Sequence, residues 1–436
     1  AGNSTLSAVW GVWALLFGMG LLMLGNGLQG TLLGVRASLE AFGTSVTGFV
    51  MSGYFLGFLA GAILTQRAVG RVGHVRVFAA LASLASTSIL VHSVFVEPLV
   101  WGAMRFITGF SFAGLYVVAE SWLNARTSNE GRGRLLSIYM VILHMGIGGG
   151  PLLLNLADPR AHDLFILISI LISLSLVPIL LSATPAPDYT APAPVSLGEL
   201  YRISPLGLVG CLGTGVANGA VFGMAAVFAR EAGLSTAQIS VFLGVMFFGG
   251  AVFQWPIGRL SDRFDRRLVL TVVTVGATLL AAAAGPMFFV SYLGFLVVAC
   301  LFGGAHLPIY SLCVAHTNDY LEPEQIVAAS TGLVLANGVG AVMGPVIVGT
   351  FMSQLGTPAY FWCLAAIHGS IGLFAVYRMT RRSAAPAEDQ GAYIAMPYRP
   401  SPLAVAVTEE VATEEATADE GGRDGDSSSA GDAAEG

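Results

Sequence analysis

Arg105 and Glu120 are the two fully ionisable side chains set well inside long apolar runs of this 436-residue sequence. A charge in hydrocarbon is costly, so each is expected to face protein or water rather than lipid. Fifteen residues along a helix bring the second back to within about 60° of the first, so both belong on one face, but about 22 Å apart along the axis they cannot pair. Glu120 suits a proton carrier or a solute contact, or else an interfacial pair with Arg126 or Arg132. Arg105 suits an anionic group or the tuning of a neighbouring acid, or else donation to carbonyls of the first span. His144 and His306 also fall mid-run, where imidazole can relay protons near neutrality or pack as a neutral, hydrogen-bonded ring.

Uncharged polar residues form a second set. Asn26, Gln29 and Asn218 interrupt apolar runs, and they read either as groups lining a central axis or as interhelical amide contacts. Tyr54, Phe112, Tyr116, Phe222, Gln254, Trp255 and Tyr310 complete a mildly polar aromatic cavity in the first reading. Met19 and Met23 lie one turn apart, a spacing open to Cu(I), but among Leu and Gly they read as packing. The cysteines Cys211, Cys300, Cys313 and Cys363 stand in apolar runs without CxxC or Cys/His spacing, as small hydrophobes do. No nucleophile–base set, phosphate loop or metal spacing stands out, so neither an enzyme nor a cofactor or metal is expected.

The elements that must position these groups follow from composition. The chain is 55% hydrophobic and only 11% charged, with a mean hydropathy of +0.75. A soluble domain carries about 25% charged residues, so most of this surface must meet lipid. The first run is too long for a signal core. Apolar runs long enough to span lie near 8–34, 44–65, 76–95, 98–123, 135–156 and 164–183, then near 204–229, 237–258, 268–285, 288–315, 326–352 and 358–378. These predict an all-α membrane protein of twelve spans in two six-helix bundles, residues 1–183 and 204–378. A Pro- and Ala-rich linker, 184–203, joins them.

All 20 basic residues are arginine. Fourteen fall in one set of loops and three, Arg36, Arg160 and Arg230, in the other. The positive-inside rule puts both termini and the linker in the cytoplasm of a bacterial inner membrane. The acidic balance belongs to the tail: residues 383–436 hold 12 acids and 2 arginines. Residues 379–436 have the composition of disorder, although Tyr393 to Val407 is less polar and is open to two readings, a plain linker or a segment docked on the cytoplasmic loops.

The second half repeats the first. Asn26 and Gly57 match Asn218 and Gly249 at a shift of 192, and Gly109 and Gly146 match Gly303 and Gly340 at 194. Between spans 8 and 9 the chain reads Gly258-Arg-Leu-Ser-Asp262-Arg263-Phe-Asp-Arg266-Arg267. It resembles the loop signature of the major facilitator superfamily, and the resemblance covers residues 8–378. It implies two pseudo-symmetric bundles, alternating access and a loop that latches neighbouring helix ends. The first-half copy has Gly70 where Asp262 stands, so any latch there must differ. Arg105-Phe-Ile-Thr-Gly109 is similar to a span 4 motif of many members, and Gly146-x-x-x-Gly150-Pro151 to one in proton-driven exporters. Ala-Glu-Ser-Trp-Leu-Asn at 119–124, with Gly73-His74, resembles a YcaD-like bacterial branch. The function expected is secondary transport of a small organic solute coupled to protons. The alternatives are a uniporter, a drug exporter, or a membrane receptor or lipid-handling protein. The expected partners are a small-molecule substrate, protons and membrane lipid, with no nucleic acid, for a monomeric protein.

Overall fold

The computed structural model describes residues 2–125, 129–181, 196–381, 390, 391, 393, 395 and 396. Helices α1 (Gly2–Leu39), α2 (Thr44–Val72), α3 (His74–Val94), α4 (Pro98–Ala125), α5 (Asn129–Gly149) and α6 (Asp163–Leu181) form the first bundle, with a 3-10 segment at Gly150–Leu156 extending α5. A short α7 (Leu197–Ile203) precedes the second bundle: α8 (Pro205–Glu231), α9 (Thr236–Arg263), α10 (Arg266–Val290), α11 (Tyr292–His306), α12 (Pro308–Asn318), α13 (Pro323–Leu355) and α14 (Ala359–Met379). Among the described residues, twelve stretches are long and apolar enough to cross a membrane, as the hydropathy predicts. The tenth is broken at Leu307, where Pro308 begins α12 and removes a helix donor.

Large apolar side chains such as Leu99, Phe289, Val290 and Leu373 stand on the outer surface, a pattern suited to a lipid solvent. Inside each bundle, small residues set the spacing. A Cβ on Gly57 would overlap the Phe106 carbonyl and one on Gly109 the Tyr54 carbonyl. The repeat-related Gly249 and Gly303 meet the carbonyls of Cys300 and Met246 in the same way. The internal repeat is therefore a repeat of helix crossings.

The loops define two ends, one rich in arginine and one poor in it. The bundles meet through α2 with α13, α1 with α8, and α5 and its 3-10 extension with α9. From the arginine-poor end this seam passes Thr44, whose hydroxyl donates to the Gly349 carbonyl at 3.0 Å. It continues through Ser52, which donates to the Val342 carbonyl, and reaches mid-span where Leu59 lies against Gly338.

Candidate functional site

At mid-span the seam opens into two cavity lobes that share Phe222 of α8. One is a partly open hollow of about 370 Å³, solvent-facing space included, with Asn26, Thr31, Ile147, Leu243 and Phe247 on its walls. The other is a partly open hollow of about 460 Å³ on the same measure, walled by Phe55, Phe58, Asn218, Val334 and Asn337. Phe222 stacks on Phe247 with centroids 5.0 Å apart. Both lobes are mainly apolar with a few fixed amides, the usual make-up of a small-molecule site.

The amides divide by role. Asn26 faces its lobe and donates through Nδ2 to the Tyr54 hydroxyl at 3.3 Å. Asn218, its repeat mate, lines the other lobe. Asn337 also faces that lobe while donating to the Cys211 carbonyl at 3.1 Å. Gln29 is fully buried, and neither its amide nitrogen nor its oxygen meets a partner among the described residues.

Tyr54 connects the cavity to the buried cation. The Arg105 guanidinium lies 4.4 Å from the Tyr54 ring centroid, so one phenol carries a cation on its face and Asn26 at its hydroxyl. Desolvated cation–π contacts of this kind are worth about 2 kcal/mol. Tyr116 packs edge-on against Phe58 and donates to the Met23 sulfur at 2.8 Å. Glu120 faces α5 instead, where Tyr139 donates to it at 3.3 Å. The alternative partners Arg126 and Arg132 have no described side chains.

Not every expected residue converges on the axis. His306 and His368 form a buried pair, Nδ1 to Nε2, at 3.0 Å inside the second bundle. The Leu364 carbonyl lies 2.7 Å from His368 Nδ1. That ring nitrogen must donate to it, which leaves His306 as the donor within the pair. His144 faces Gln254 of α9 across the seam. Trp255, one residue on, is 65% exposed beneath Arg259 on the outer surface. Tyr310 is buried on α12.

The arginine-rich ends are built differently in the two halves. In the first, Gly73 turns the chain from α2 to α3 at φ 87°, a conformation that favours glycine. His74 then sits 3.0 Å from the Ser121 hydroxyl and stacks on Trp122. In the second, Arg266 is 1% exposed and bonds Ser261 at 2.9 Å, the Ala315 carbonyl at 3.0 Å and Asp319 at 2.5 Å. Asp319, Asn337 and the His74–Ser121 contact escaped the sequence reading. For Asp319 the available signal was an acid just beyond a span end, opposite the arginines of the loop.

Burial lifts the Asp319 carboxyl from 3.8 to about 6, while Arg266 pulls it the other way. A carboxyl raised on folding contributes stability that is present below about pH 4 and is lost as pH rises through about 6. From about pH 5 to 7 the wild type should lose about 1 kcal/mol more than Asp319→Asn, read as the difference between their stability-versus-pH slopes. Parallel slopes would remove Asp319 as the titrating group.

The sequence profile described as Major Facilitator Superfamily matches residues 15–305 and 206–405. The chain belongs to the major facilitator superfamily. This facilitator is 27% identical over 377 residues to the uncharacterized MFS-type transporter YcaD of Escherichia fergusonii, covering 86% of the chain and 97% of that relative. It is 29% identical over 365 residues to YcaD of an Escherichia coli strain, covering 82% and 92%. Its fold matches two crystal structures of the nucleoside transporter NupG, the unmodified protein and a point mutant, each with a TM-score of 0.72. Identity is 10–11%, and the match covers 84–85% of this facilitator and 99% of each NupG chain. The facilitator is thus a multi-pass membrane protein of a transporter family, not an enzyme.

Proposed function

We propose that this facilitator moves a small polar organic solute, preferentially one with an anionic group, through the paired lobes at Phe222 by alternating access, in exchange for or together with protons. The observation that carries the reading is that the repeat-related Asn26 and Asn218 line two adjoining mid-span cavities that share Phe222, at the level where transporters of parallel repeats hold their substrates. Arg105 beneath Tyr54 biases the site toward anions. Glu120 is the proton-coupling group, a buried carboxyl with a tyrosine donor, and His144 beside Gln254 is a second candidate on the seam. His306, paired with His368 away from the lobes, supports this step less.

The fourteen arginines favour a cytoplasmic arginine-rich end in a bacterial inner membrane. With the seam drawn together toward the other end, the conformation fits a cytoplasm-facing state.

The test is ligand-induced thermal stabilisation of the purified protein across carboxylates, amino acids, sugars, nucleosides and cationic drugs. Carboxylates or amino acids should stabilise the wild type, and Asn26→Leu should weaken them at least about tenfold, the value of one charge-assisted hydrogen bond. Stabilisation only by cationic drugs, unchanged by Asn26→Leu, would contradict the reading.

A further inference from the structure

Gly391, Tyr393, Ala395 and Met396 are placed where a loop of the transport cycle should close. The Gly391 carbonyl accepts from Arg266 Nη2 at 2.5 Å, and its N–H donates to Asp319 at 3.3 Å. The Tyr393 N–H donates to Asp262 at 2.7 Å. The Met396 N–H donates to the Ser311 hydroxyl at 2.9 Å, and its carbonyl accepts from Gln254 Nε2 at 3.4 Å. Met396 is 4% exposed and joins the apolar core, and a Cβ on Gly258 would overlap the Tyr393 ring.

Three features make this a built site rather than a chance lie of the chain. The five bonds of the described residues run from main-chain groups of the segment to side chains of the body, and the Tyr393 side chain adds contacts with Ser311 and Gln254, which is how grooves read an extended peptide. Gly258, Asp262 and Arg266 belong to the signature loop, so the segment occupies the residues expected to latch helix ends. The segment is also deep. Ser311 lies seven residues inside the end of α12, about 10 Å along its axis, and Gln254 nine residues inside the end of α9, about 14 Å. Gln254 is also the residue that His144 of the first bundle faces, so Met396 reaches the level where α5 and α9 meet across the seam.

We infer that the segment Gly391–Met396 is an intramolecular plug that binds the arginine-rich mouth between α9 and α12 and must leave before the bundles can close at that end. The inference rests on the alternating-access reading of the cavity. Closure brings the end of α9 toward the first bundle, into the volume of Tyr393 and Met396. Docking and closure compete, so the tail holds the transporter open at this end and limits its turnover.

The test uses nanodisc-embedded protein with spin labels at the repeat-related Arg71 and Arg263, whose separation reports closure of the arginine-rich end. Three proteins are compared: full length, full length with Tyr393→Ala, and a truncation after Arg382. A synthetic peptide spanning residues 388–400 is then added to the truncation. The closed, short-distance population should rise at least about fivefold on truncation, rise partly in Tyr393→Ala, and fall again with peptide, a shift that five weak hydrogen bonds can sustain. Failure of the peptide to bind, or binding that leaves the populations unchanged, overturns the plug. If the distance stays fixed in all three proteins between pH 8 and pH 5, alternating access fails and the plug with it. If it responds to pH but not to tail or peptide, the plug alone fails.

Discussion

Arg105→Leu is expected to lower the affinity for an anionic solute at least about thirtyfold, while neutral solutes of the same size lose less than about threefold. A unit charge about 8 Å from an anionic group, at an effective dielectric of about 20, contributes about 2 kcal/mol, and each 1.4 kcal/mol is a factor of ten. Arg105 is 2% exposed and covers the Tyr54 ring, whose hydroxyl holds Asn26 at the lobe. The charge therefore acts on the cavity both through space and by fixing the amide. Two further variants separate these routes. Arg105→Lys keeps the charge but loses the planar stack, so it retains the anion preference at reduced affinity. Tyr54→Phe keeps the cation–π contact and frees Asn26, so it weakens anionic and neutral solutes alike. Equal losses for charged and neutral solutes in Arg105→Leu would make the residue structural.

Arg266→Ala should cost stability heavily, about 3–5 kcal/mol, because it leaves the buried carboxylate of Asp319 without its cation. Four other contacts go with it: the Ser261 hydroxyl, the carbonyls of Ala315 and Gly391, and the Asp262 carboxylate. The double change Arg266→Met with Asp319→Leu removes both charges and should recover most of the loss, as apolar replacement of a buried ion pair often does. It should still release the tail, since Gly391 loses both of its partners. Chemical unfolding of the two variants, with protease sensitivity of the tail, reads the two effects apart. A single variant as stable as the wild type would show that Arg266 is not the anchor of this end.

Most of the fold was legible because crossing a bilayer demands about twenty apolar residues in a helix. The twelve runs and the ordered Gly matches each reflect that demand or the close crossings it permits. Asn26 and Asn218 could be picked out because an amide in an apolar run needs a reason, and the repeat supplied a pair of them. The orientation of helix faces was harder to read. Lipid and protein interior are both apolar, so a span carries little of the amphipathic signal that orients a soluble helix. Gln254 and Trp255 are neighbours in sequence, yet one turns inward and the other lies on the outer surface. His306 is mid-span as expected, but its partner His368 stands 62 residues away, a pairing set by how α11 packs on α14.

The tail was the least legible part. Its composition is acidic and small, and the bonds made by Gly391, Tyr393 and Met396 use main-chain groups that every residue possesses. Asp262, Arg266, Asp319, Ser311 and Gln254, dispersed over α9, the start of α10, α12 and the turn after it, give that segment an address.

Distances across both ends of the protein test the central claim of alternating access most directly. Label pairs at Arg71 with Arg263 and at Asp158 with Ser235 report the arginine-rich and arginine-poor ends in one nanodisc sample. Both distributions should be bimodal, and between pH 8 and pH 5 their populations should move in opposite directions, one end closing as the other opens. Two fixed single distances, or two ends that open together, would contradict transport by alternating access through the lobes at Phe222.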